Sequence, residues 1–181
     1  ALNYYPAIKQ PQSAPQFAYY AYGKDYHLVM RDKLRELAAF IEEETGCNSR
    51  VCVDTAPIRE RYWAAKAGVG FVGVNNQLII PNRGSYFFLG EILTSFEFTP
   101  DKPTQQSCGG CRKCVEACPT NAITADGLID CNNCLSCQLI ENRNELLPNE
   151  IVSKLGNRVY GCDECQLCCP HNLNAQPTAV K

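Results

Sequence analysis

Cysteine is the residue type whose spacing in this chain most clearly predicts chemistry. The sequence has 13 cysteines among 181 residues. A first run, from Cys108 to Pro119, has the spacing C-x2-C-x2-C-x3-C-P. A second run, from Cys162 to Pro170, contains C-x2-C-x3-C-P when it is read through Cys169. Iron in clusters prefers soft thiolate ligands, and the first spacing is typical of bacterial [4Fe–4S] proteins. The two runs therefore predict two [4Fe–4S] clusters.

Two clusters need eight thiolates, because each cluster takes four cysteines. In this type of run the fourth cysteine binds the other cluster, so each site draws on both runs. The first cluster is predicted to bind Cys108, Cys111, Cys114 and Cys169. The second is predicted to bind one further cysteine in addition to Cys118, Cys162 and Cys165. From the residues alone, three candidates remain for that last position: Cys131, Cys134 and Cys137.

Two other uses of cysteine explain this pattern less well. A disulfide framework suits a short secreted chain, and no segment of the sequence has the form of a signal peptide. Zinc sites use pairs of C-x2-C units, which is not the spacing of the first run. Clusters and free thiols both indicate a reducing compartment, so a cytoplasmic location is expected.

The overall composition is that of a globular protein of one or two domains. Hydrophobic residues make up 45 % of the chain and charged residues 20 %, and the formal net charge is -2. This charge does not indicate a nucleic-acid-binding surface. No apolar run approaches the roughly 20 residues of a membrane-spanning helix, so no membrane partner is expected.

The residues before the cysteine runs predict elements that could position a reactive side chain. Apolar residues recur with helical spacing from about Asp25 to Thr45, with Asp25 as the cap and Gly46 as the end. A short buried strand at 50–54 follows and ends in Asp54. A carboxylate at such a strand end is either a catalytic group or a helix cap, and the residues alone favour neither.

A second helix is predicted from Thr55 to Ala67, with Thr55 as its cap and Tyr62 and Trp63 in the core. The glycines of segment 68–73 resemble a nucleotide-binding loop, but the segment follows a helix where that loop follows a strand. They are better interpreted as positions where the main chain approaches a ligand or a neighbouring strand. The remaining predicted elements are strands at 77–80 and 85–94, a linker at 99–107, a hairpin at 121–129 and a helix at 134–141.

Several segments, taken in order, resemble one known family. They are Ala1-Leu-Asn-Tyr-Tyr-Pro6, Gly23-Lys-Asp-Tyr-His27, Val53-Asp-Thr-Ala-Pro57, Gly70-Phe-Val-Gly73 with Asn75, and Gly84-Ser-Tyr-Phe-Phe-Leu-Gly-Glu-Ile-Leu-Thr94, followed by the two cysteine runs. By these motifs the chain resembles the epoxyqueuosine reductases over nearly its whole length. That family consists of iron–sulfur and cobalamin enzymes.

The resemblance implies an oxidoreductase. The family reduces the epoxide of epoxyqueuosine in the anticodon wobble position of tRNA, which is the last step of queuosine synthesis. Electrons from an external donor of the flavodoxin or ferredoxin type would pass through the two clusters to cobalamin. The expected partners are that donor and tRNA carrying epoxyqueuosine, and the expected protein is a cytoplasmic monomer.

The resemblance also implies a fold of the α+β class. An α/β cobalamin-binding, nitroreductase-like front domain is expected at 1–100. A bacterial ferredoxin-like domain with two [4Fe–4S] clusters is expected at 101–181. Relative to the family, an N-terminal segment and a C-terminal helical-repeat region are expected to be missing from this chain.

Site residues carry over from the family by position. Asp54 matches the family's proton donor, and Cys134 matches the cysteine that completes the second cluster. The other cysteines then become bystanders, namely Cys47, Cys52, Cys131, Cys137 and Cys168. Cobalamin contacts are expected at Tyr26, His27, Asn75, Leu78, Ser85 and Leu89. For Leu78 and Leu89, plain core packing is the alternative.

One departure from the family pattern lies beside the expected cobalamin pocket, where Val74 replaces the usual lysine and a positive group is lost.

Two other functions share part of the cysteine pattern. A cobalamin-dependent reductive dehalogenase has the same cofactor plan, but such enzymes are usually exported with a twin-arginine signal, and none is visible. A non-catalytic ferredoxin-type electron-transfer module would not need the roughly 100 residues that precede the clusters.

Overall fold

The computed structural model describes residues 1–124 and 126–178. Apart from one helix of 20 residues, the regular elements are short. The strands are β1 (Leu2–Asn3), β2 (Gln16–Phe17), β3 (Ser49–Cys52), β4 (Phe71–Val72), β5 (Leu78–Ile79), β6 (Phe87–Phe88), β7 (Glu91–Thr94) and β8 (Arg158–Tyr160). The α-helices are α1 (Tyr26–Thr45), α2 (Glu60–Lys66), α3 (Lys113–Ala117), α4 (Leu135–Ile140), α5 (Asn149–Val152) and α6 (Glu164–Leu167).

Strand pairing connects the front of the chain to the region of the second cysteine run. The pairs β1–β6, β3–β7 and β4–β5 are antiparallel and lie within the first 100 residues. The pair β2–β8 is parallel and joins Gln16 and Phe17 to Arg158 and Tyr160. The start of the chain therefore lies against the residues that lead into Cys162.

Helix α1 has the predicted bounds and caps. The Asp25 side chain accepts the backbone N–H of His27, and Gly46 ends the helix in the left-handed conformation with a φ of 67°. Glycine adopts this conformation without the steric cost of a Cβ. The helix packs against β3 and β7, which brings His27 close to the end of β3. Neither α1 nor any other helix within the described residues is long and apolar enough to cross a membrane.

Helix α2 differs from the prediction in its start and in its exposed side. It begins at Glu60 rather than Thr55, because tight hydrogen-bonded turns occupy segment 54–58. The proposed core aromatics are also wrong, since Tyr62 is 47 % and Trp63 56 % exposed. The helix has only seven residues and packs against β4 and β5, which leaves its aromatic side facing solvent.

The single strand predicted at 85–94 is divided into β6 and β7. Gly90 lies between them, where a Cβ would stand 2.7 Å from a side-chain carbon of Leu34 and 2.9 Å from one of Met30. A larger residue here would force these two side chains of α1 to shift. The break allows β6 to pair with β1 while β7 pairs with β3, and the β3–β7 pair supports the turn that carries Asp54.

The core is assembled from elements on both sides of the linker. The most deeply buried large side chains are Tyr86, Ile79, Leu135 and Val53. Phe71 and Ile79 of the front half form one cluster with Cys169, and Cys108 packs against it. Two predicted ligand cysteines are thus part of the same apolar contact surface as strands β4 and β5.

We expect Leu78→Ala to lower the free energy of unfolding by about 2–5 kcal/mol, because truncation of a buried leucine leaves a cavity. Leu78 is only 4 % exposed. Leu146→Ala is the matched control, because Leu146 is 83 % exposed and its change should stay within about 0.5 kcal/mol. Both values come from anaerobic denaturant titration of the cluster-loaded protein. Equal losses in the two variants would contradict the core placement of Leu78.

Candidate functional site

The four cysteines predicted for the first cluster lie in a loop, a helix and the second cysteine run. Cys108 and Cys111 flank two glycines with left-handed φ angles of 56° and 81°. The Cys111 N–H donates to the Cys108 carbonyl at 3.0 Å, which closes this loop. Cys114 lies in α3, and Cys169 directly precedes a 3-10 turn. Helix α3 packs against α6, which brings the two cysteine runs together.

These four thiols are close enough to influence one another's protonation. Burial raises the pKa of Cys114, and negative charge on Cys108 and Cys169 raises it further. Burial also raises the pKa of Cys169, with added contributions from Cys108 and Cys111. Thiolates gathered in this way repel one another unless bound iron offsets their charge. The residues predicted to hold the first cluster are therefore brought together, and their chemistry fits that group.

The second predicted set is centred on Cys165. Burial raises the pKa of Cys165 far above its usual value, and negative charge on Cys162 and Cys134 adds to this effect. Burial also raises the pKa of Cys162. Cys118 lies at the end of α3, where its sulfur accepts the Ala122 N–H at 3.2 Å. The assignment of Cys118 to the second cluster stays a prediction.

The three candidates for the last ligand position are in different surroundings. Cys134 is close enough to Cys165 for its charge to raise the pKa of that thiol, and its assignment to the second cluster stays a prediction. Cys131 and Cys137 instead form a disulfide with each other. Among the described residues, no three His, Cys, Asp or Glu side chains converge closely enough to hold a single metal ion. A [4Fe–4S] cluster is larger than an ion, so its four thiolates stand farther apart.

A front-half loop at 73–75 contacts both sets of predicted ligands. The Val74 N–H points to the sulfur of Cys108 at 3.4 Å, and the Asn75 side chain donates to the Cys165 carbonyl at 3.0 Å. A Cβ at Gly73 would lie 2.6 Å from the Ile79 side chain, so a larger residue there would displace that buried side chain. The loop therefore lies between the ligand loops of the two predicted clusters.

A buried polar network holds a second front-half segment against α6. The Ser85 N–H donates to the Asn172 side-chain oxygen at 2.7 Å, and the Ser85 hydroxyl donates to the Gln166 side chain at 2.9 Å. The Asn172 amide completes the network by donating to the Gln166 carbonyl at 2.8 Å. All three side chains are buried. Buried polar groups that are fully paired give a contact one defined geometry.

Asp54 lies in the turn that follows β3, in a left-handed conformation with a φ of 51°. This conformation is uncommon for residues other than glycine, although Asp and Asn adopt it more readily than most. The Asp54 N–H donates to the Glu60 carboxylate at 2.7 Å, so the first turn of α2 holds the backbone in place. Glu60 was not among the predicted site residues, because nothing in the sequence links it to Asp54.

The Asp54 carboxylate is part of a short chain of polar side chains. It lies 3.2 Å from the His27 Nε2 atom, and the His27 Nδ1 atom lies 2.7 Å from Asp25. The Tyr26 ring stacks on Phe88 at 4.1 Å and on His27 at 4.0 Å between centroids. Partial burial lowers the pKa of His27, but the hydrogen bonds and charges of the two carboxylates outweigh it and raise the pKa above 6.5.

The residues predicted to contact cobalamin fall into two groups. Tyr26, His27 and Leu89 are partly exposed, so their side chains are available to a bound molecule. Asn75, Leu78 and Ser85 are buried, and the polar atoms of Asn75 and Ser85 already bond to residues of the second cysteine run. Three of the six predicted contacts are therefore accessible, and the other three are packed inside the fold.

Two family descriptions match this chain. Residues 107–172 match "4Fe-4S double cluster binding domain", and residues 1–55 match "Epoxyqueuosine reductase QueG, DUF1730". The first match contains both cysteine runs and confirms the prediction of a ferredoxin-like, double-cluster domain. The chain therefore contains a double [4Fe–4S] cluster binding domain.

Similar proteins identify the family more narrowly. An epoxyqueuosine reductase of Cyclobacterium marinum is 44 % identical over 179 residues, which are 97 % of this chain and 57 % of that protein. A crystal structure of epoxyqueuosine reductase with a tRNA-Tyr epoxyqueuosine-modified tRNA stem loop matches with a TM-score of 0.83 and 37 % identity. It covers 93 % of this chain and 46 % of that one.

A third match is an epoxyqueuosine reductase of Bacillus subtilis with an aspartate catalytic loop swung out of the active site. It has a TM-score of 0.84 and 35 % identity, and covers 95 % of this chain and 47 % of that one. The chain thus spans about half the length of the relatives it matches. By sequence and by fold, this chain is a relative of the epoxyqueuosine reductases, which confirms the resemblance seen in its motifs.

Two adjacent cysteines provide a direct test of the ligand assignment. Cys169→Ala should lose one cluster, because Cys169 is predicted to bind iron, whereas Cys168→Ala should keep about eight irons per chain. Iron and acid-labile sulfide are measured in anaerobically purified protein. If Cys168→Ala lost as much iron as Cys169→Ala, the assignment of Cys169, and not Cys168, as the cluster ligand would be wrong.

The raised pKa of His27 predicts a stability effect that depends on pH. A group with a raised folded-state pKa adds stability below its unfolded pKa of about 6.5 and loses it as the pH rises through the folded value. His27→Gln should therefore destabilise the protein more near pH 6 than near pH 9. Denaturant titrations at both pH values measure the difference. Asp32→Asn, on the exposed side of the same helix, is the control. An equal effect of His27→Gln at both pH values would contradict the pairing of His27 with Asp25 and Asp54.

Proposed function

We propose that the protein containing this chain reduces epoxyqueuosine to queuosine in the wobble position of tRNA. The single observation that supports this best is the occurrence of two features in one chain. Asp54 is held in a left-handed turn with its carboxylate near His27, and the double-cluster domain follows in the same sequence. The tRNA-bound relative supports tRNA carrying epoxyqueuosine as the substrate.

The proposed organisation has two parts. Residues 1–100 would form an α/β, nitroreductase-like domain that binds cobalamin, and residues 101–181 would form the ferredoxin-like domain. When bound, cobalamin would supply the nucleophile or reductant that acts on the epoxide, with electrons that the clusters receive from a flavodoxin or ferredoxin. Tyr26, His27 and Leu89 would contact cobalamin, and Asn75, Leu78 and Ser85 would support that surface from behind.

Reduction of the epoxide to the alkene consumes two electrons and two protons and releases the oxygen as water, and the chain's own residues account for the first of these protons. Opening of an epoxide leaves negative charge on its oxygen, and a carboxylic acid within hydrogen-bond reach can neutralise it. Asp54 would donate this proton. His27 would hold the Asp54 carboxylate in position, and Glu60 would hold its backbone. The Bacillus subtilis relative, in which an aspartate catalytic loop moves, supports a catalytic aspartate on a loop of this kind.

The proposal is tested with the complete native protein that contains this segment. The protein is purified anaerobically, loaded with iron, sulfide and cobalamin, and given reductant and epoxyqueuosine-containing tRNA. Mass spectrometry of the digested tRNA measures conversion to queuosine. Conversion supports the proposal. Redox-active clusters without cobalamin uptake or conversion would instead indicate an electron-transfer module.

Asp54→Asn should reduce conversion by at least about a hundredfold, because general acid catalysis typically contributes factors of this size or larger. The cluster and cobalamin absorption spectra should be unchanged, since Asn is close to Asp in size and shape. Asp32→Asn is the matched control, because Asp32 is exposed and pairs only with Arg35 among the ion pairs described. Normal conversion by Asp54→Asn would remove Asp54 from the catalytic role.

A further inference from the structure

Cys131 and Cys137 form a sulfur pair that the proposed reaction does not use. They flank Cys134 at equal distances along the sequence, three residues before it and three after it. Their Cα atoms are 5.4 Å apart, and the structure joins them in a disulfide. This separation lies in the usual range for disulfides. The middle thiol, Cys134, instead lies beside Cys165 of the second predicted cluster.

Polar contacts shape the loop before α4 so that these two sulfurs face each other. Asp130 accepts the Asn132 N–H at 3.0 Å, the Asn133 side-chain amide at 2.8 Å and, through its carbonyl, the Cys134 N–H at 2.9 Å. The Gln138 side chain reaches back to the Cys131 carbonyl at 3.0 Å. These contacts fix the loop over the first turn of α4 independently of any bond between the sulfurs.

Exposure gives the two cysteines different roles in exchange with small molecules. Cys131 is exposed and Cys137 is half-buried. An external disulfide can therefore reach Cys131 first, while Cys137 lies behind it as the second thiol. Neither step needs Cys134.

We propose that Cys131 and Cys137 form a reversible dithiol–disulfide site that locks the loop carrying Cys134. The reaction partner is a low-molecular-weight disulfide such as oxidised glutathione. The Cys131 thiolate attacks that disulfide and releases one glutathione thiolate. The Cys137 thiolate then attacks the mixed disulfide at the Cys131 sulfur and releases the second. Two electrons pass from the protein to glutathione, the two thiol protons end on the released glutathiones, and one protein disulfide forms.

The disulfide closes a ring around the predicted ligand position, because Cys134 lies midway between the bonded residues. Closing the ring restricts the motions by which the loop could move away from the cluster. The oxidised protein should therefore release iron from its second cluster more slowly than the reduced protein does. The inference rests on the double-cluster domain and the position of Cys134, and it is independent of the proposed tRNA reaction.

The test uses the complete anaerobic, cluster-loaded protein after incubation with either reduced or oxidised glutathione. Free thiols are alkylated before digestion, and mass spectrometry identifies how each cysteine is bonded. After oxidised glutathione, the 131–137 pair should be a disulfide and the iron content should remain about eight per chain. After reduced glutathione, both thiols should be alkylated. A pair that stays reduced in oxidised glutathione, or a disulfide that includes Cys134, would overturn the proposal.

Single variants show whether Cys131 and Cys137 form a redox-active disulfide or bind iron. Cys131→Ala and Cys137→Ala should keep native iron content and lose the disulfide. Cys47→Ala is the matched control, because Cys47 contacts the Thr94 hydroxyl in another part of the fold, and it should retain the 131–137 disulfide. In the presence of a chelator, the oxidised native protein should release iron several-fold more slowly than the reduced native protein. Cys137→Ala cannot form the disulfide, so it should release iron at the same rate after either glutathione treatment. Equal rates for the two native forms, or iron loss in Cys131→Ala, would contradict the proposal.

Discussion

Contact between the loop at 73–75 and the two sets of ligand cysteines is the constraint on which the proposed site depends. The loop places a main-chain N–H at the sulfur of Cys108 and a side-chain amide at the carbonyl of Cys165. Hydrogen bonds to ligand sulfurs are among the features that set cluster reduction potentials. The front half is therefore positioned to influence the electronic properties of the cluster that Cys108 is predicted to bind. The contact uses the backbone of Val74, so the absence of the family's lysine side chain does not remove it.

The network of Ser85, Gln166 and Asn172 extends the same constraint to a second point. Together with the β2–β8 pair, it ties segments before and after the linker into one packed unit. Gly84, which has a φ of 89°, lies so close to the Asn172 side chain that a Cβ would not fit. Such contacts hold the second cysteine run in a fixed position against the front half.

The features that could be predicted from the sequence are those set by local chemistry. The caps of α1 follow from Asp25 and Gly46, and the double-cluster domain follows from the cysteine spacing. Equal spacing cannot distinguish among Cys131, Cys134 and Cys137, because the packing of α4 against β8, which no local pattern indicates, determines which thiol lies near Cys165. The start of α2 and the exposure of Trp63 depend on how that helix meets β4 and β5. The contact between Glu60 and the Asp54 backbone likewise follows from the tight turn at 54–58, which no local pattern indicates.

We expect two interlocked clusters directly behind the front half, on ligands drawn from both cysteine runs. The decisive experiment is an anaerobic crystal structure with iron located by anomalous scattering. We expect about eight iron positions in two cubanes, with Cys118 and Cys165 on the same cubane and the Val74 N–H still directed at Cys108. Placement of Cys118 and Cys165 on different cubanes, or a single cluster in the chain, would rule out this arrangement.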